Sequence, residues 1–182
     1  MLSRKTMLEL NRPGLPEMRA GAKIPVTVVL ENIRSGLNIG SVFRTADAFN
    51  MEKILLAGFS VAPPHKEILK TALDATESVP WARVEDLASA LMNLKEKGYH
   101  ISAVEQVHGS IPLDQFDFSE KQPLVLVFGN EVSGVSEATL GLCDSAIEIP
   151  QSGIKHSLNI AVCAGIVLWE SYVQLNSFKN RL

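Results

Sequence analysis

An unbroken apolar run that halts at glycine, Leu124-Val125-Leu126-Val127-Phe128 into Gly129-Asn130-Glu131, constrains the fold more than any other feature of the chain. With no polar alternation, such a run reads as a strand buried on both faces, which calls for a mostly parallel sheet with helices on either side. Ile147-Glu148-Ile149 stops in the same way at Pro150, ahead of Ser157-Leu158-Asn159. In both places an acid, amide or hydroxyl lies just past the stop, and open α/β sheets build their ligand crevices beyond the carboxyl ends of strands. The two phrases predict an α/β fold with a site at that edge.

The rest of the chain alternates accordingly. Strands are expected at Val26 to Leu30, Lys53 to Ala57, His100 to Val104, Leu124 to Phe128 and Ala146 to Ile149, and helices at Ile39 to Phe49, Glu85 to Lys97, Ser136 to Cys143 and Leu158 to Leu175. Stretches 11–25, 58–65 and 106–123 read as connections. The last of these, with Asp114, Phe116, Asp117, Phe118 and Glu120, reads as a packed surface excursion. A length of 182 residues suits a single domain, 24–182, behind a short basic arm, 1–23.

Charge separates the arm from the body. Net charge is −3, yet residues 1–23 hold five basic groups (Arg4, Lys5, Arg12, Arg19, Lys23) against Glu9 and Glu17, a local +3 that leaves −6 for the remainder. A basic arm suits contact with phosphates, and a solvated terminus explains it equally well. No apolar stretch reaches the roughly 18 residues of a membrane span, and no signal-peptide pattern opens the chain, so a cytoplasmic protein is expected. Cys143 and Cys163 form no CxxC motif and the four histidines are scattered, so reduced, packed thiols are expected and no metal site.

Three motifs carry candidate chemistry. On a helical wheel Ile39, Val42, Phe43, Ala46 and Phe49 share one stripe, while Arg44 lies well off it and is free to face a cleft. Asn38 stands where that helix is expected to begin, so a helix cap accounts for it without any ligand. A surface pair with Asp47 accounts equally for Arg44. Gly129 would let a ligand approach the backbone and Glu131 could accept hydrogen bonds or orient a basic group, although an ordinary tight turn explains both. Ser157 is placed to cap the terminal helix, whose first dozen residues are apolar all round and must be buried against the sheet or another subunit. Asn159, polar at the start of that helix, needs a partner.

GxGxxG after the first strand, GxxxxGK[ST], GxSxG and HExxH are all missing, which removes the usual anchors of dinucleotide dehydrogenases, P-loop nucleotidases, α/β-hydrolases and zinc proteases. Taken together, Asn38 through Arg44-Thr45-Ala46-Asp47-Ala48-Phe49, then Phe128-Gly129-Asn130-Glu131, then Ile149-Pro150 with Ser157-Leu158-Asn159 resemble in order and spacing the three motifs of the SpoU (TrmH) family of SPOUT RNA methyltransferases. The resemblance spans about residues 25–175. His65 to Glu67 and Thr71 to Trp81 are similar to the family's middle region. Gln151 and Val135 depart from it, standing where Met and Leu are common.

The resemblance implies methyl transfer from S-adenosylmethionine to a ribose 2′-hydroxyl of tRNA or rRNA, in a fold closed by a C-terminal trefoil knot. By position, Leu126, Gly129, Ile149, Leu158 and Ser157 would line the cofactor pocket, Glu131 and Asn159 would shape it, and Asn38, Arg44 and Ser157 would face the ribose as the catalytic group. A homodimer with a site shared between subunits is implied, and the lack of an extra N-terminal RNA-binding domain favours tRNA over rRNA. Two other readings stay open: an adenosylmethionine-binding RNA chaperone without turnover, and a small-molecule enzyme on an unrelated α/β sheet.

Overall fold

The computed structural model describes residues 3–6, 9–10, 14–154 and 157–179, with 18–20 and 177–179 at the level of the backbone. In chain order the elements are α1 (Leu15–Ala20), β1 (Ile24–Glu31), α2 (Gly36–Ala48), β2 (Met51–Ala57), α3 (Lys66–Ala72), α4 (Ala75–Ser78), β3 (Trp81–Val84), α5 (Leu87–Glu96), β4 (His100–Val104), β5 (Ile111–Pro112), β6 (Leu124–Phe128), α6 (Glu137–Leu140), β7 (Ser145–Glu148) and α7 (Ile160–Lys179). Among the described residues the strands form one parallel sheet in the order β3-β2-β1-β6-β4-β7-β5.

The uninterrupted run at 124–128 is the central strand of this sheet, between β1 and β4. Its side chains alternate between two cores, as the pleat demands. Leu124, Leu126 and Phe128 face a core shared with α2, α3, α4 and α7, while Val125 and Val127 face a smaller one shared with α5 and α6. All five are buried, as expected for a strand covered on both faces.

Several boundaries differ from the periodicity reading. The first major helix begins at Gly36, because Ser35 Oγ accepts from the Asn38 N–H (3.2 Å) and caps it one turn ahead of the apolar stripe. Asn38 is therefore inside the first turn and does not cap the helix. Likewise α7 begins at Ile160, with Asn159 Oδ1 accepting from the N–H groups of Ala161 (2.9 Å) and Val162 (3.4 Å); the cap is Asn159, not Ser157. Strands β3 and β5 were not expected: both are short edge strands, and β5 ends in Pro112. The expected helix at 136–143 shrinks to the single turn α6.

The excursion 106–123 packs as expected. Phe116 and Phe118 meet at 4.8 Å, almost wholly buried, and Gln174 of α7 accepts from the Phe118 N–H and donates to the Phe116 carbonyl. No helix among the described residues is long and apolar enough to cross a membrane. Of the arm's basic residues, Arg12 lies outside the described residues and so does the side chain of Arg19; Arg4 and Lys5 are exposed, and Lys23 donates to the Ser78 carbonyl at 3.5 Å.

Candidate active site

A cavity of about 270 Å³ opens at the carboxyl ends of β4, β6 and β7, the edge expected from the strand stops. Gly129, Asn130, Glu131 and Gly134 wall one side, and Ile149, Gln151, Ser157 and Leu158 the other. Val104, Ile147 and Ile160 supply apolar surface, and the carboxylates of Glu105, Glu131 and Glu148 border it.

The loop beyond β6 is tightly constructed. The backbones of Asn130 and Gly134 bond each other in both directions (3.0 and 2.9 Å). A Cβ on Gly129 would overlap the backbone of Gly134 and Val135, so only glycine permits this closure. Asn130 Oδ1 accepts from the Val132 N–H at 2.8 Å, and its Nδ2 donates to the Asn32 carbonyl at 2.7 Å. From below, Glu105 accepts from the Val135 N–H (3.0 Å). Glu31 accepts from the N–H and hydroxyl of Ser136 (3.0 and 2.7 Å) and from Thr139 Oγ1 (2.8 Å).

Here the three sequence phrases meet. Asn159 Nδ2 donates to Asn38 Oδ1 (3.2 Å), and Asn38 Nδ2 donates to Glu131 Oε1 (3.1 Å). One polar chain thus joins the starts of α7 and α2 to the loop after β6, with its Glu131 end on the cavity wall.

Not every expected residue arrives there. Leu126 lies two residues inside β6, fully buried, and does not line the cavity. Arg44 is exposed on α2 and faces a separate shallow depression with Ser41, Thr45, Lys70 and Thr71. The alternative surface pair with Asp47 is not formed; Asp47 accepts from the Ser78 hydroxyl instead. Val135 is buried in the smaller core, whereas Gln151 is on the cavity wall. Cys143 and Cys163 are free and partly buried, and burial first, with Asp144 and Glu105 respectively adding to it, pushes each thiol up to about 11. Neither is a ready nucleophile at neutral pH.

Comparison with known proteins places this geometry. The model of the SpoU rRNA Methylase family matches residues 25–169. The chain belongs to that family. It is 32% identical to the 23S rRNA (guanosine-2′-O-)-methyltransferase RlmB of Vibrio parahaemolyticus, over 93% of this chain and 68% of that protein. Among solved structures, the A. aeolicus TrmH/SpoU tRNA modifying enzyme superposes with a TM-score of 0.81 at 26% identity, covering 91% of this chain and 84% of that one. The SpoU methyltransferase AviRb of Streptomyces viridochromogenes, in complex with AdoMet, gives 0.78 at 27% identity; this chain spans 88% of its own length there and 64% of the other's.

The SpoU-family cavity suits S-adenosylmethionine on its own chemistry. Val104, Ile147 and Ile160 offer apolar surface to a flat heterocycle, and Glu105, Glu131 and Glu148 on the lining give acidic groups compatible with a cationic ligand. Glu31, Glu105 and Asn32 were given no role from the sequence, and Asn130 was read only as part of the motif after β6. The signal was available for two of them: Leu30-Glu31 and Val104-Glu105 repeat the pattern of an acid directly after an apolar strand. The bond between Asn130 and the Asn32 carbonyl had no such signal, since the two lie 98 positions apart.

Proposed function

We propose that this chain transfers a methyl group from S-adenosylmethionine to a ribose 2′-hydroxyl of tRNA or rRNA, with the cofactor in the cavity beyond β6 and β7. The observation that carries the reading is the Asn159–Asn38–Glu131 chain at the cavity rim, which brings all three motif segments to one place. The cofactor supplies an electrophilic methyl on a sulfonium centre. Gly129, Ile149 and Leu158 bound it with backbone; Glu131 and Asn159, joined through Asn38, hold the rim; Ser157, exposed on that rim, faces the ribose.

Methyl transfer needs in-line approach and loss of the hydroxyl proton, so positioning dominates the rate. Arg44 is six residues beyond Asn38, about 9 Å along α2. In our reading it therefore serves the cavity of a second copy, where its guanidinium grips the phosphate next to the target and polarises the hydroxyl; a guanidinium is a poor general base. Exposed Val162, Ile166 and Trp169, spaced along one face of α7, supply an apolar surface for a two-fold contact. The trefoil knot belongs to the same proposal, supported by Ile149, Gln151, Ser157 and Leu158 lining one cavity with Gly129, Asn130, Glu131 and Gly134. So do the arm 1–23, read as a phosphate contact, the domain 24–182, and residence in the cytoplasm with the RNA.

The expectation of tRNA over rRNA gains nothing from the relatives, whose names include an enzyme of each kind. Both RNAs therefore enter the test. Labelled methyl groups from S-adenosylmethionine should enter unmodified tRNA or rRNA and appear as 2′-O-methylnucleosides on digestion. Cofactor binding, seen as thermal stabilisation by adenosylhomocysteine, without incorporation into either RNA would refute the reading.

A further inference from the structure

Arg34 and Phe59 take no part in the site described above, yet both lie at the same edge of the sheet. The loop 32–35 follows β1 and the loop 58–65 follows β2, so both open at the same strand ends as the cavity. Half of the Phe59 surface (50%) is exposed, and the Arg34 guanidinium lies 5.1 Å from the centre of its ring. Arg34 is exposed, and among the described residues no carboxylate pairs with it.

A solitary exposed phenylalanine means little. What sets Phe59 apart is the scaffold beneath it. Asn32, in the left-handed region at φ 61°, accepts the Phe59 N–H through Oδ1 at 3.2 Å, and Gly58 adopts φ 61° directly before it. Arg83 Nη2 donates to the Gly58 carbonyl at 3.4 Å. The Asn32 carbonyl in turn accepts from Asn130 Nδ2 at 2.7 Å. A single asparagine thus ties the exposed ring to the loop that walls the cavity, and left-handed backbone at a non-glycine residue persists only where surrounding bonds hold it.

We propose that Arg34 and Phe59 form a stacking platform for one unpaired base flanking the methylated nucleotide. The proposal rests on the RNA-methyltransferase reading above and adds to it a residue-level contact. Single-stranded RNA is gripped by stacking its bases on aromatic rings and guanidinium planes, largely without regard to sequence. A neighbouring base held on Phe59 adds binding energy for the RNA in the ground and transition states alike, without touching the reacting atoms. The planar Arg34 fork extends the stack and can reach the adjoining phosphate, which an ammonium could do only as a point charge.

The experiment has two arms. In the first, a fluorescently labelled oligoadenylate is titrated with the full chain and followed by anisotropy, which needs neither cofactor nor turnover. Phe59→Ala and Phe59→Leu should weaken binding by about tenfold, Phe59→Trp should keep it, and Arg34→Lys should fall between, given the usual contribution of one stacked base. In the second, methyl incorporation into unmodified tRNA and rRNA should show the loss in KM for RNA with kcat nearly kept, while affinity for adenosylhomocysteine and the melting temperature stay as in the wild type. Oligoadenylate binding and KM unchanged in Phe59→Leu would overturn the platform, including in favour of a protein partner at that ring. A wild-type chain that methylates neither RNA, while oligoadenylate still depends on Phe59, would sink the methyltransferase reading and leave the platform standing.

Discussion

Asn38 and Arg44 share a helix and end on different surfaces, Asn38 within the polar chain at the cavity rim and Arg44 over a shallow depression with Lys70. Spacing along a helix explains this: six residues are about 600° of rotation, so the two side chains point well apart as well as lying at different heights. Arg44→Ala should lower methyl transfer at least about a hundredfold, the usual loss when a charge-stabilising donor is removed, with adenosylhomocysteine affinity within about threefold. Lysine should restore only part of the rate, because it lacks the planar fork. Stopped-flow or single-turnover rates beside calorimetric binding check both statements; turnover kept in Arg44→Ala would remove Arg44 from the mechanism. That Arg44 would be exposed was legible from the wheel. That Asn38 would bond across to Glu131 and Asn159 was not, because a side-chain amide at a helix start satisfies a capping role equally well until its neighbours are known.

At the scale of elements, the long buried strands and amphipathic helices were readable, and the short edge elements were not. Strand β3 presents partly exposed residues at the sheet margin, so it carries no strong burial pattern. Helices α3 and α4 are split by Leu73 and Asp74 at φ 47° and 66°, a pair of left-handed residues with neither glycine nor proline to mark the break. At the other end of the sheet, His100 opens β4 and shares a hydrogen bond with Ser145 Oγ (2.9 Å), which in turn meets Ser102 Oγ at 2.7 Å. Burial holds the imidazole below the usual histidine range, against the opposing pull of Asp144 and with slight help from Lys121 and Lys95. The folded state therefore binds this proton less readily than the unfolded chain. The associated stability is complete above the unfolded value near 6.5 and declines as pH falls from there towards the lower folded value. Urea midpoints should thus show wild type losing ground to His100→Gln between about pH 7.5 and pH 5.5; a difference between the two that is independent of pH would show that the histidine's proton is not involved.

For the whole molecule, α7 is the element with apolar residues on both its buried and its exposed sides. Ile160, Ala164, Val167, Leu168 and Leu175 fill the larger core, while Val162, Ile166 and Trp169 stay in solvent. A helix apolar on both sides needs two coverings, and the sheet provides only one. If a second copy provides the other and contributes Arg44, mixing inactive Arg44→Ala with inactive Asn159→Ala subunits should restore roughly a quarter of wild-type activity, since statistical exchange makes half of the dimers mixed and each then holds one intact site. Activity that stays at the level of the separate variants after exchange, verified by mass, would place Arg44 and Asn159 in the same subunit's site.

By itself the sequence determined the α/β class, the edge of the sheet at which the cavity opens, the family and the burial of the central strands, because each is written in local periodicity or in residue order. Only the tertiary structure decided which asparagine caps and which one links, that Glu31 and Glu105 brace the cavity loop, and that Arg44 lies away from the cavity within one chain. The linking and bracing bonds join residues some 30 to more than 120 positions apart, and such contacts exist only once the sheet has brought the ends of its strands together.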